Sequence, residues 1–154
     1  MISFDTLPAE DAEALLLQVC TAPRWAREVA AGRPYGTPEK LQAAAAAALS
    51  AADLDDALAG HPRIGDRAAA AEAGSEQAAV ASADAAVLAA LDEGNRAYEE
   101  RFGRVYLVCA SGRSAEDLLA TLRSRLGNAP GEERLVALGE LAAINRLRLG
   151  AVLA

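Results

Sequence analysis

The stretch TPEKLQAAAAAALSAADLDDALAG, residues 37–60, decides the fold class. Thr37 offers a side-chain oxygen to the first free N–H groups of a helix. Pro38 then sits in the first helical position, where its missing N–H costs nothing and its φ is already helical. The alanine run that follows favours helix and contains no β-branched residue to oppose it. This helix ends near Ser50. Ser50 can itself cap another, with Asp53 three residues on in capping-box register, and Gly60 closes that second helix just before His61.

Similar punctuation recurs on both sides. Ala12, Leu15, Leu16 and Val19 repeat at helical spacing, so the first helix is expected from Pro8 to Cys20, with Pro23 beyond it. A short helix follows from Arg24 to Ala31 and stops at Gly32. Residues 62–75 are rich in alanine, glycine and charge, and read as a loop with a turn or two of helix. Ser82 begins what reads as the longest helix, with Val87, Leu88, Leu91, Tyr98 and Phe102 near one stripe until Gly103. Ser114 with Asp117 forms a second capping-box pattern and opens a helix that closes at Gly127. The last helix starts after Pro130, and Leu135, Leu138, Ala142, Leu149 and Val152 read as its apolar face.

Val105-Tyr106-Leu107-Val108-Cys109 departs from this pattern. Its β-branched and aromatic composition suits a strand, but no partner strand is apparent. A buried extended connection is therefore expected, whose backbone groups must be satisfied by neighbours or by a ligand. The fold class is all-α: a single domain over residues 1–154, a bundle of about six to eight helices with one buried extended segment. A chain of this length buries about two-thirds of its unfolded surface and needs no staples.

Composition narrows the function. Fifteen Lys and Arg against 22 Asp and Glu give a net charge of −7 without a basic cluster, which opposes binding to nucleic acid or an anionic membrane. The longest run of apolar or small residues, Ala43 to Leu49, is far short of the ~20 residues of a membrane span. Cys20 and Cys109 are too few for a disulfide framework and too far apart for a zinc motif, and with one histidine no metal site is expected. The beginning of the sequence lacks the pattern of a secretory signal and its end lacks a Ser-Lys-Leu address, so a cytoplasmic location is expected. Heavy use of alanine, and of arginine over lysine, suggests a bacterial source. There is no phosphate loop, dinucleotide fingerprint or nucleophile elbow, and no organic cofactor is expected.

His61 stands on a stiff mount, because Pro62 fixes its own φ and biases the preceding residue toward extended backbone. An imidazole held this way suits proton transfer near neutral pH, although a lone loop histidine is more often a surface or capping residue. Glu76-Gln77 pairs a carboxylate with an amide, a combination equally common on solvated helices. Arg146 and Arg148 flank the apolar stripe of the last helix at about 80° to either side, so helical geometry does not choose between them as an anion anchor. Cys109 with His61 would make a nucleophilic pair, but its apolar neighbours favour a buried structural thiol.

Taken together, His61-Pro62-Arg63-Ile64-Gly65, Phe4 and Leu7, Trp25, Arg33-Pro34-Tyr35, Glu76-Gln77, Asn95 through Tyr98 to Arg101-Phe102-Gly103, the 105–110 segment and Arg148-Leu149 resemble the 2-oxo-4-hydroxy-4-carboxy-5-ureidoimidazoline (OHCU) decarboxylase family. They occur in family order over nearly the whole chain. The resemblance implies an all-helical, cofactor-free enzyme of purine metabolism that converts OHCU to (S)-allantoin in urate degradation, and it implies a homodimer. Carried over by position, His61 is the catalytic proton donor with Glu76 beside it. Pro62 and Gln77 touch substrate, Arg148 rather than Arg146 binds it, and Tyr106, Leu107, Val108, Cys109 and Ala110 offer backbone groups to its amides. Two departures stand out: Ala73 occupies a place where the family usually has serine, and the interval from His61 to Glu76 is short. An alternative is a catalytically altered domain of the same scaffold that binds or acts on another ureido or imidazolone acid.

Overall fold

The computed structural model describes residues 2–59 and 85–153. Over these residues it contains eight α-helices, a 3₁₀ turn and no strand. The helices are α1 (Ser3–Thr6), α2 (Ala9–Val19), α3 (Pro23–Ala31), α4 (Pro38–Ala48), α5 (Leu54–Leu58), α6 (Ala85–Phe102), α7 (Ala115–Arg125) and α8 (Pro130–Leu153), with the 3₁₀ turn at Ala51–Asp53 before α5. The all-α reading holds, and α1 is an addition to it. Two compact units divide the chain: the first holds residues 2–59 and 141–153, the second residues 85–140. The expected loop at 62–75 and the start at Ser82 lie outside the described residues.

The local signals act as their chemistry requires. Thr37 accepts from the Lys40 N–H at 3.3 Å. The Ser50 hydroxyl accepts from the Ala52 N–H at 3.2 Å, while the Ser50 N–H donates to Asp53 Oδ2 at 2.9 Å. At α7 only half of the capping box forms. Ser114 accepts from the Asp117 N–H at 3.1 Å, but the Asp117 carboxylate is taken by Arg113 Nε at 2.6 Å. Gly103 ends α6 with φ +72°, a backbone conformation that side chains disfavour.

In the first unit, α2 packs on α3 and α3 on α4. Trp25 is fully buried, and its indole N–H donates to the Ala45 carbonyl at 2.8 Å. Arg33 ties down the beginning of the chain by donating to the Phe4 and Leu7 carbonyls at 3.1 and 2.7 Å. Asp5 returns the link by accepting from the Tyr35 and Gly36 N–H groups, each at 2.8 Å. Phe4, Arg33 and Tyr35, which supported the family resemblance, thus form a structural corner.

The buried face of α8 differs from the one expected. Glu133, Ala137, Leu141, Ile144, Asn145 and Leu149 are buried, whereas Leu135 is 68% exposed and Val152 38%. Two of the buried positions are polar, so a stripe drawn through apolar residues alone falls on a rotated face. α8 spans 24 residues, against the 18 of α6 that are described. It contributes residues 130–140 to the second unit and 141–153 to the first.

Asp53 is 2% exposed and is held by Arg24 through Nε at 2.9 Å and Nη2 at 2.6 Å. Burial pushes its carboxyl up, but Arg24 and the Ser50 N–H outweigh burial and hold it below the ordinary carboxylate value. A group depressed in the folded state stabilises above its unfolded pKa and loses that contribution as pH falls through the folded value. We predict that Asp53→Asn, which keeps the cap acceptor but removes the charge, costs about 1–3 kcal/mol at pH 7. The gap from the parent should narrow below about pH 4, as read by urea denaturation at both pH values.

Candidate functional site

The second unit is built around the extended segment expected from sequence. Residues 105–110 have no helical or strand pairing among the described residues. Tyr106, Leu107 and Val108 are buried, while Cys109 and Ala110 are half-buried, so Cys109 is less enclosed than a core thiol. Tyr106 and Val108, two residues apart on one side of the extended backbone, join a cluster with Leu91, Tyr98, Leu118 and Leu122. Gly94 permits the close approach of α6 to α7, since a Cβ there would lie 2.6 Å from the Leu122 side chain.

A buried polar network fixes this segment. Arg125, 4% exposed, donates through Nη1 to the Leu107 carbonyl at 2.7 Å and through Nε to Glu133 Oε1 at 2.6 Å. Glu133 is fully buried, and it also accepts from the Tyr98 hydroxyl at 2.7 Å and from Asn128 Nδ2 at 3.0 Å. The guanidinium lies 5.0 Å from the Tyr106 ring centroid and 5.8 Å from that of Tyr98. The Tyr106 hydroxyl donates to the Leu118 carbonyl at 3.0 Å.

The electrostatics follow from that packing. Burial opposes charge on Arg125, but its bonds to Glu133 prevail and hold it firmly protonated. Burial and then Glu133 push the Tyr98 hydroxyl up to about 12. Burial likewise raises Tyr106, against the opposing pull of Arg125. Both phenols are therefore neutral donors at neutral pH. No described group pairs with the backbone of Val108, although that residue is 3% exposed. The segment is thus held in place by outside side chains, and the backbone groups of Val108 stay unpaired among the described residues.

Arg148 belongs to the first unit, half-buried on α8, with Nη1 donating to the Val19 carbonyl at 3.3 Å. Arg146 is exposed. Their earlier near-equivalence came from the misplaced α8 stripe, and the observed face separates them. The described candidates therefore fall in two groups: 105–110 in one unit and Arg148 in the other. His61, Pro62, Glu76 and Gln77, with Ala73, lie outside the described residues. Arg125 and Glu133 were not anticipated. Their helical registers carried the signal, because Arg125 falls in line with Leu118 and Leu122, and Glu133 with Ala137 and Leu141.

The described residues define an all-helical fold that holds an extended connection in place by a buried ion pair. The sequence profile described as OHCU decarboxylase matches residues 5–150, and the chain belongs to that family. A protein of Amia calva named 2-oxo-4-hydroxy-4-carboxy-5-ureidoimidazoline decarboxylase is 34% identical, over 80% of this chain and 77% of its own length. The uric acid degradation bifunctional protein TTL of Arabidopsis thaliana is 29% identical, and the match covers 84% of this chain but 44% of that protein. The solved structure of an OHCU decarboxylase in the presence of (S)-allantoin superposes with a TM-score of 0.81 at 26% identity, covering 96% of this chain and 99% of the other. A second structure, of an (S)-allantoin synthase, shares the fold with a TM-score of 0.73 at 21% identity, over 97% of this chain and 52% of that one.

Removing one partner of a buried pair leaves an uncompensated charge, which typically costs about 3–5 kcal/mol, whereas replacing both with apolar residues is often near neutral. We therefore expect Arg125→Met alone to lower unfolding stability by about that amount, and Arg125→Met with Glu133→Leu to recover most of it. Chemical denaturation of the two variants checks this, and equal losses in both would contradict it.

Proposed function

We propose that this chain decarboxylates OHCU to (S)-allantoin, acting as a carboxy-lyase in urate degradation. The observation that carries the reading is the family match over residues 5–150. A fold shared with an OHCU decarboxylase at 26% identity supports it. We further propose that it acts without metal or organic cofactor, as a homodimer in the bacterial cytoplasm, with residues 1–154 forming one functional domain.

The chemistry makes such economy reasonable. Loss of CO₂ leaves an electron pair, and the ring C=N and carbonyl next to the reacting carbon in OHCU can accept it. The protein needs to hold the carboxylate out of the ring plane, stabilise charge growing on ring heteroatoms and deliver a proton to one face. In this proposal His61 delivers the proton with Glu76 beside it, while Pro62 and Gln77 contact substrate. The backbone of Tyr106 to Ala110 meets its amides. That role is supported by the fixed carbonyl of Leu107 and by the backbone of Val108, which pairs with no group among the described residues. Arg148 helps most when aimed at a ring oxygen that gains charge, because clamping the departing carboxylate would stabilise the ground state more than the transition state.

His61→Asn is expected to fold like the parent and lose at least ~10² in the rate of (S)-allantoin formation, the lower end of acid–base contributions. The assay is circular dichroism with OHCU generated freshly by a urate oxidase and a hydroxyisourate hydrolase, and equal rates would sink the assignment. Arg148→Met is expected to lower kcat about 10- to 100-fold, the range for a lost charge-assisted hydrogen bond, with KM changed only a few-fold. An effect confined to KM would mean that the arginine only holds the carboxylate.

A further inference from the structure

Asn145 is 5% exposed on α8, yet neither its Nδ2 nor its Oδ1 closes a hydrogen bond among the described residues. An unpaired buried amide is costly, since each polar group forfeits its bonds to water. An alanine or leucine at this position would avoid that cost. The one polar group in reach among the described residues is the Cys20 thiol, itself 1% exposed, on which the Asn145 amide acts as a weak donor; a thiol is a poor acceptor, so the amide, its Oδ1 above all, is left without a strong partner.

Asn145 and Arg148 are three residues apart on one helix, a spacing that places them on the same face about a turn apart. Cys20 marks where they converge: its thiol is raised by burial, and Asn145 and Arg148 both act on it in the opposite sense. Next to Cys20, the Val19 carbonyl accepts from Arg148. A half-buried cation and a buried amide thus approach one spot at the end of α2. A primary amide is a donor and an acceptor held in one plane, which complements the adjacent N–H and C=O of a urea unit.

We infer that Asn145 contacts the substrate, its side-chain amide pairing with a urea-type N–H and C=O edge of the molecule that Arg148 binds. This rests on the proposed function, in which the ligand carries such an edge in both its ring and its ureido arm. Asn145 is then a specificity-determining residue. A pocket that hydrogen-bonds a polar group discriminates strongly against analogues lacking it, because its own buried groups would remain unpaired.

The test uses Asn145→Leu, close in size but unable to hydrogen-bond, and Asn145→Ala in case the larger side chain disturbs folding. Three quantities are measured: the Kd for (S)-allantoin by calorimetry, KM and kcat for OHCU, and the melting temperature. The expected result is a Kd and KM raised tenfold or more, a kcat within a few-fold of the parent, and an equal or higher melting temperature. A variant that folds and keeps Kd and KM within twofold of the parent overturns the inference, as does a lower melting temperature with unchanged Kd. The calorimetric arm separates the two proposals. A parent inactive on OHCU whose allantoin binding still depends on Asn145 overturns the decarboxylase reading and supports the contact.

Discussion

The pairing of Arg125 with Glu133 is the constraint on which the second unit depends. Either charge alone in that position would be prohibitive to bury. Together, with Tyr98 and Asn128 completing the carboxylate and the Leu107 carbonyl taking a further guanidinium N–H, they compensate each other, with Arg125 Nη2 held, among the described residues, by ion-pair contact to Glu133 alone. The members come from the end of α7, the turn after it, the start of α8, the last third of α6 and the extended connection. The pair therefore acts as a directional joint in a core whose other contacts, among Leu91, Val108, Leu118 and Leu122, are apolar and carry little orientational information.

This joint has a chemical purpose if the extended segment meets a ligand. A backbone amide stabilises developing charge only if it is already aimed, since reorienting it during the reaction would consume the benefit. Tyr106 anchors one side of the segment through its hydroxyl and ring, and Arg125 anchors the carbonyl that follows. The chain here has neither ladder nor helix bonds to hold it, so side chains from outside the segment do so. Such an arrangement leaves main-chain groups available without making the main chain mobile.

Much of the architecture was legible where the deciding forces were local. Thr37 with Pro38, Ser50 with Asp53, and Gly103 each act within a turn of their own position, and each does what its chemistry suggests. Legibility failed where a distant partner changed the meaning of a residue. Glu133 and Asn145 look like solvated positions in a hydropathy pattern, so the apolar face of α8 was drawn through Leu135, which is exposed. Arg125 and Glu133 resemble ordinary surface charges until each is seen to share a helical register with buried leucines or alanines. Of the site, the extended segment was visible from composition, since a β-rich stretch without a partner strand is an unusual thing for a helical chain to carry. The roles proposed for His61, Pro62, Glu76 and Gln77 rest on their joint resemblance to a family alone, because no local rule distinguishes a proton-transferring imidazole from an ornamental one.

The division of α8 between two units bears on the order in which the molecule is made. Leu141, Ile144 and Leu149 are core residues of the first unit, and the Val19 carbonyl is reached by a side chain 129 positions later. The opening helices emerge long before the segment that covers them. During synthesis they must wait through the whole of the second unit with apolar surface uncovered, and loops this long close slowly. The second unit has no such debt, since its partners lie within one continuous stretch. Nascent chains should therefore acquire the interior of the second unit first, and the helices before position 60, although made ahead of it, should become protected later.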